Sequence, residues 1–396
     1  VYFEQFSKGA ETVLKRKKKI ITLLFAAKIF LFALSAGVSA EQTNLNLQVE
    51  GAILIEANTG QVIYEQDPHQ RWAPASVTKV MTMLLAMEAV KEGKATLNDI
   101  VLASEFACSF GGSQVYLEPG EKFTLHELLI AVAVGSANDA SVAVAEHISG
   151  SNEAFVEAMN AKARELGLEN TNFVNTHGLD DENHYTSAYD MAQISKYLLN
   201  NYPEILQYTG MKFYVFREEP LLELYNTNKM LWWYEGTDGL KTGFTSTAKR
   251  SLASTVKREG LRLIGVVMGV EQKHGHFRES MKLYNYGFSQ FKFNKLFDKG
   301  QEVKQLPVSK GEVDQISVVA QDPVGFMSKK GEKVEPEIIL ELPEVLAAPL
   351  QQGQTVGEII IRQSGYELAR VKLVVPFEVK RATLWRQLNK LTKQVY

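Results

Sequence analysis

The sequence predicts an α/β or α+β domain followed by a small all-β domain, and three observations carry that reading. The 396 residues are 45% hydrophobic and 22% charged, a globular composition with enough apolar material for two cores. From about Leu45 to Phe297, short β-like runs alternate with longer helical ones. After Lys299-Gly300 the pattern changes: six of the eleven prolines (Pro307, Pro323, Pro336, Pro343, Pro349, Pro376) punctuate short β-branched runs such as Glu358–Ile361 and Val371–Val375.

In chain order, Lys15–Lys19, the apolar run Ile20–Gly37 and Val38-Ser39-Ala40 form a basic, apolar and small-x-small series, the pattern of an export leader cleaved after Ala40. Its removal takes away seven positive and two negative charges, moving the formal charge from −3 to −8. Ala52–Glu56 and Gln61–Tyr64 flank the turn residues Asn58-Thr59-Gly60 and predict a β-hairpin. Val77–Val90 predicts a buried helix, preceded by Pro74 where helices begin. Leu125–Val134 and Ala140–Ile148 predict two more apolar helices, broken at Gly135–Asp139. Asp190 is expected to cap a helix starting near Met191. Ser251–Lys257 and Leu261–Val270 predict a second hairpin turning at Glu259-Gly260. The domains are thus a leader, 1–40; a catalytic domain, 41–297; a β-rich domain, 298–380; and a C-terminal segment, 381–396. In that last segment Leu384, Trp385, Leu388, Leu391 and Val395 gather on one face of a helix and Arg381, Arg386, Lys390 and Lys393 on the rest, the pattern of a helix lying on an anionic membrane surface.

Balanced charge argues against nucleic acid as a partner. One cysteine, Cys108, excludes an intrachain disulfide, and the seven histidines form no HExxH, so neither metal nor organic cofactor is expected. Cys108 reads as a packed residue, and His274 and His276 as exposed loop.

Ser76-Val77-Thr78-Lys79 opens the predicted buried helix, so that serine and lysine, three apart, share one face. A buried lysine can lose its proton and activate the serine for attack on a carbonyl. SxxK alone decides nothing, since it recurs at Ser246, Ser254 and Ser289. But Ser136-Ala137-Asn138 is the only SxN and Lys241-Thr242-Gly243 the only KTG, and the three follow one another at 60 and then 105 residues. That ordered set is the signature of penicillin-binding proteins and serine β-lactamases.

With Ala73–Lys79, Asn175–Asp180, Thr186–Asp190 and Thr237–Phe244, the mature chain resembles the low-molecular-mass penicillin-binding proteins, serine-type D-Ala-D-Ala carboxypeptidases. The resemblance implies an α+β catalytic domain, an antiparallel sheet with helices on both faces plus a helical subdomain. It implies Ser76 as nucleophile, Lys79 as its base and Ser136 as proton relay. Asn138 would hold the substrate backbone, Lys241, Thr242 and Gly243 the terminal carboxylate and its strand, and the N–H groups of Ser76 and Phe244 the oxyanion. Arg278 would be a second cation at that carboxylate. Where the family often has a glycine-aromatic pair after the KTG, this chain has Lys249-Arg250. The implied partners are peptidoglycan stem peptides ending in D-Ala-D-Ala, β-lactams and the membrane surface, at the outer face of the bacterial cytoplasmic membrane. D,D-endopeptidase, β-lactamase and non-catalytic wall binding stay open at this point. Glu165–Asn170 does not match the ExxLN of class A β-lactamases and reads as the end of a helix.

Overall fold

The computed structural model describes residues 45–383; the predicted leader, and the predicted amphipathic helix beyond Thr383, lie outside the described residues. Strands β1 (Gly51–Glu56) and β2 (Val62–Gln66) form the expected antiparallel hairpin. The Glu56 carboxylate closes its loop by accepting the Asn58 and Thr59 amides at 3.1 and 2.7 Å. A 3-10 turn, Ala75–Thr78, runs into α1 (Lys79–Lys91), which is buried along most of its length, as its mostly apolar sequence requires. Strand β3 (Ile100–Leu102), the short α2 (Glu105–Cys108) and β4 (Lys122–Thr124) lead to α3 (Leu125–Ile130), opened by a reciprocal Thr124/Glu127 capping box. A π-helical turn, Ala131–Gly135, ends α3, and α4 (Asn138–Ser149) starts three residues later.

Helix α5 (Asn152–Glu165) ends where the sequence suggested. Helix α6 (Ala188–Asn201) begins earlier than expected: Ser187 is its cap, accepting the Asp190 amide at 3.1 Å. Asp190 instead sits buried in the first turn, where its carboxylate accepts the Asn170 amide and the Thr171 hydroxyl at 2.8 and 2.7 Å. After α7 (Leu206–Thr209), the hairpin β5 (Phe213–Arg217) and β6 (Leu222–Tyr225), and α8 (Met230–Trp233), come β7 (Thr237–Thr245), β8 (Lys249–Arg258), β9 (Leu261–Val270) and α9 (Gly275–Gln290).

The central sheet has the order β2-β1-β9-β8-β7, with every pair antiparallel. Strand alternation dresses its two faces. Ile53, Ile55, Ile264 and Val266 join a core shared with α1, α3, α4, α5 and α6. Leu54 and Leu263 face the other way, against Gly287 of α9, where an added methyl would come within 2.8 Å of them. Helices on both faces plus a helical subdomain is the architecture the sequence implied.

The β-rich region begins earlier than its expected boundary at 298. Strand β10 (Phe291–Phe297) pairs with β13 (Val324–Lys329), because its apolar residues find their partner there and not in the central sheet. A six-stranded sheet of order β14-β16-β17-β12-β11-β15 is built from β11 (Glu302–Ser309), β12 (Gln315–Ala320), β14 (Glu337–Glu341), β15 (Leu346–Ala347), β16 (Thr355–Gln363) and β17 (Tyr366–Val374). Five of the six prolines fall between strands as expected; Pro307 lies inside β11, at the point where that strand's partner changes from β12 to β15. The predicted helix does not start at Arg381: Arg381 bridges to Gly311, and the Ala382 amide donates to the Lys310 carbonyl at 2.8 Å, so the chain is still extended there.

Candidate active site

The site forms where the start of α1, the break before α4 and the edge strand β7 converge. Lys79 Nζ lies 3.0 Å from Ser76 Oγ, as the three-residue spacing predicted, and also donates to Asn138 Oδ1 and to the His177 carbonyl, both at 2.7 Å. The amine is fully buried, and its pKa is driven well below the usual lysine value, first by burial and then by the nearby Lys241 cation, with Asp139 opposing. At 3.0 Å, a neutral amine there is within reach of the Ser76 hydroxyl proton.

Asn138 is the first residue of α4 and not its cap, which is Ala137. The π-helical turn delivers Ser136 in a left-handed conformation (φ 61°), buried, its hydroxyl uncommitted to a hydrogen bond among the described residues. The Asn138 side chain bridges Lys79 and the Gly111 carbonyl, the latter at 2.7 Å, while its amide donates to the Ser113 carbonyl at 2.7 Å. Gly112 (φ +84°) must be glycine here, since a Cβ would stand 2.9 Å from Asn138 Nδ2.

On β7, Lys241 is buried and its pKa falls to about 7 through burial. Thr242 Oγ1 meets Thr227 Oγ1 at 2.6 Å, a partner the sequence did not suggest. Gly243 passes so close to the nucleophile's turn that a Cβ would lie 2.8 Å from the Pro74 carbonyl and 3.2 Å from the Ser76 nitrogen. Phe244 follows on the strand with its ring exposed.

Arg278 is engaged elsewhere than expected. Its guanidinium donates to Glu279 at 3.0 Å and Gln272 at 2.6 Å, and no contact among the described residues joins it to Lys241, Thr242 or Phe244. Arg250, by contrast, stands directly opposite Phe244 in the β7/β8 register, 4.5 Å from its ring. Lys249 adopts the left-handed conformation (φ 54°) that glycine favours, tethered to Glu271 at 3.2 Å, and Arg250 supplies the planar group. His276 is buried, not exposed, and its pKa drops to about 4 through burial with Arg250 and His274 nearby.

Three contributors escaped the sequence reading. The His177 carbonyl, not its ring, holds Lys79. Gly178 (φ +92°) lies against the Ala75 carbonyl so closely that a Cβ would overlap it at 1.8 Å. Asp139 is buried and accepts the Val115 and Leu117 amides at 3.1 Å. Position beside the SxN and within Asn175–Asp180 was the only signal for any of them.

A serine paired with a buried lysine whose pKa burial lowers, set between an antiparallel sheet edge and a helical subdomain, defines a serine-dependent acyl-transfer enzyme. The sequence profile of the D-alanyl-D-alanine carboxypeptidase family, peptidase S11, matches residues 37–272, and that of the penicillin-binding protein 5 C-terminal domain matches residues 291–381. The chain is 41% identical over 374 residues to the D-alanyl-D-alanine carboxypeptidase DacF of Bacillus subtilis, covering 92% of this chain and 95% of the relative. The structure resembles penicillin-binding protein 5 of Haemophilus influenzae (TM-score 0.65, 34% identity, 87% of this chain and 100% of that one). It also resembles the peptidoglycan synthesis regulatory factor PBP3 of Streptococcus pneumoniae (TM-score 0.69, 30% identity, 84% and 100%). The chain belongs to the D-alanyl-D-alanine carboxypeptidase family of serine-type penicillin-binding proteins.

Proposed function

We propose that this chain removes the terminal D-alanine from peptidoglycan stem pentapeptides through an acyl-enzyme, and that β-lactams acylate the same serine. The observation that carries this is the three-way placement of Lys79 Nζ on Ser76, Asn138 and the His177 carbonyl. Neutral Lys79 takes the Ser76 proton as Oγ attacks the carbonyl carbon of the penultimate D-alanine. The oxyanion forms toward the Ser76 and Phe244 N–H groups, a reading supported by the close approach of Gly243 on β7 to the Ser76 nitrogen. Ser136 passes the proton to the departing amine, freeing D-alanine, and water then cleaves the ester by the same relay in reverse. Lys241 and Thr242 hold the terminal carboxylate, and binding that anion favours the charged form of Lys241, which holds Lys79 neutral.

No carboxylate among the described residues is hydrogen-bonded to Ser76, Lys79 or Asn138, which supports slow hydrolysis of a penicilloyl-enzyme and argues against a β-lactamase. An endopeptidase would use the same groups. The test is mass spectrometry after penicillin exposure, with D-alanine release from a pentapeptide measured in parallel. One adduct, absent in Ser76→Ala, with D-alanine release by the unmodified protein, is the expected result. An adduct on Ser246 or Ser254, or rapid penicillin turnover without D-alanine, refutes it.

The leader over residues 1–40 and the amphipathic pattern after Thr383 support export and attachment to the outer face of the cytoplasmic membrane. Because Val379 pairs with Leu350 and Ala382 with Lys310, a truncation that spares the β domain ends at Thr383. That protein is expected in the soluble fraction with its peptidase activity intact.

A further inference from the structure

Between β6 and α8 the chain passes through Asn226-Thr227-Asn228, where both asparagines are buried and the threonine between them is exposed. Asn226 Nδ2 donates to the Thr209 and Met211 carbonyls at 3.0 and 2.8 Å, and its Oδ1 accepts the Asn228 amide at 2.9 Å. Asn228 Nδ2 donates to the Gly239 carbonyl of β7 at 3.0 Å, and its Oδ1 accepts the Met230 amide at 3.1 Å. Both side chains are thus spent on backbone groups, and they fix the Thr227 backbone against the strand that carries the KTG. The Thr227 side chain makes one contact from that frame. Its Oγ1 lies 2.6 Å from Thr242 Oγ1, and the hydroxyl has no other hydrogen bond among the described residues.

We propose that Thr227 is a positioning residue for the substrate's terminal carboxylate: its hydroxyl donates to Thr242 and so turns the Thr242 proton toward that anion. The proposal rests on the carboxypeptidase reading above. Each threonine hydroxyl has one proton and two lone pairs, so the pair holds two protons and its mutual contact uses one of them. A carboxylate only accepts. Thr242 can therefore bind it only by donating its own proton, and in that state Thr227 is the donor of the pair. A hydroxyl that accepts one hydrogen bond is also a stronger donor in the next. Without Thr227 the Thr242 hydroxyl is free to rotate away from the anion. Because Glu279 and Gln272 hold the Arg278 guanidinium, the direction of this hydroxyl carries more of the recognition than it would beside a second cation.

The test measures D-alanine release from a pentapeptide ending in D-Ala-D-Ala by the parent, Thr227→Val, Thr227→Ser, Thr242→Val and the double variant, with Thr227→Ala as a second hydroxyl-free form. A contact that holds the bound substrate and the transition state alike shows in KM and not in kcat. Thr227→Val and Thr227→Ala are expected to raise KM about three- to tenfold, the worth of one oriented hydrogen bond to an anion, with kcat and melting temperature unchanged. Thr227→Ser restores KM. In the Thr242→Val background, Thr227→Val is expected to change KM by less than about twofold, because no hydroxyl is left there to turn. A KM that stays at the parent's value in both hydroxyl-free variants overturns the proposal while the carboxypeptidase reading stands. The same holds for an effect that persists at full size in the Thr242→Val background, or one that lowers the melting temperature and is not reversed by Thr227→Ser, which marks a packing role. Failure of the parent protein to release D-alanine overturns both.

Discussion

Gly178→Ala is a severe test of how the nucleophile is held, because the substitution adds one methyl outside the SxxK, SxN and KTG residues. The added Cβ would lie 1.8 Å from the Ala75 carbonyl oxygen, 2.3 Å from its carbon and 2.9 Å from the Ser76 nitrogen. Backbone atoms do not tolerate contacts under 3.0 Å, so the two segments must part by more than about 1 Å. A left-handed φ of +92° adds strain on the order of 1–3 kcal/mol for any residue with a Cβ. Neither side can recoil harmlessly. The 175–178 turn is tied by the Asn175 side chain to the Gly178 amide at 2.6 Å, and its His177 carbonyl holds Lys79. The opposing turn carries Ser76 and its amide. Displacement of either by about 1 Å is expected to slow acylation on the order of 100-fold. The assay is the second-order rate constant for acylation by a fluorescent penicillin, alongside D-alanine release and thermal unfolding. An alanine variant that acylates within threefold of the parent and melts at the same temperature would refute this account of the turn.

Three further outcomes follow from charge. Lys241, with a pKa of about 7, loses its proton as pH rises through that value, so KM for a carboxylate-terminated peptide should climb above pH 7 while that of its amidated analogue stays flat; parallel profiles count against Lys241 as the carboxylate's partner. Arg278→Ala should leave the ratio of turnover on those two substrates within twofold of the parent, because its guanidinium serves Glu279 and Gln272; a selective loss on the free carboxylate would reinstate it as the second cation. His177, His184 and His276 are held neutral by burial, with pKa values of about 3, 4 and 4 against 6.5 when unfolded. The unfolded chain therefore binds more protons below pH 6.5, and each histidine withdraws about 1.4 kcal/mol per pH unit as pH falls from there toward its folded value. The melting temperature should decline from pH 7 to 4.5, less steeply in His184→Gln, whose ring otherwise meets Thr78 Oγ1 at 2.8 Å; equal slopes would show that His184 is not titrating.

The sequence by itself determined what depends on short-range geometry. Three-residue helical spacing brought Lys79 to Ser76, and β-like runs flanking Asn58-Thr59-Gly60 and Glu259-Gly260 marked the β1/β2 and β8/β9 hairpins. The unique SxN and KTG named the polar groups around the nucleophile. Tertiary structure decided what depends on segments far apart in the chain. Asn138 could equally have been a helix cap until the 111–113 carbonyls and Lys79 were seen to take its side chain and amide. Ser187 and not Asp190 caps α6, because Asn170 and Thr171 arrive from another loop to claim that carboxylate. Arg250 and not Arg278 stands beside Phe244, since strand register set one opposite it while Glu279 and Gln272 captured the other. The boundary at 298 gave way to Phe291 because apolar alternation marks a strand without naming the sheet it joins. Gly178 and Thr227 were no more than residues in loops until the chain folded, because hydrogen bonding and close approach belong to pairs of atoms, and a linear pattern records only one member of each pair.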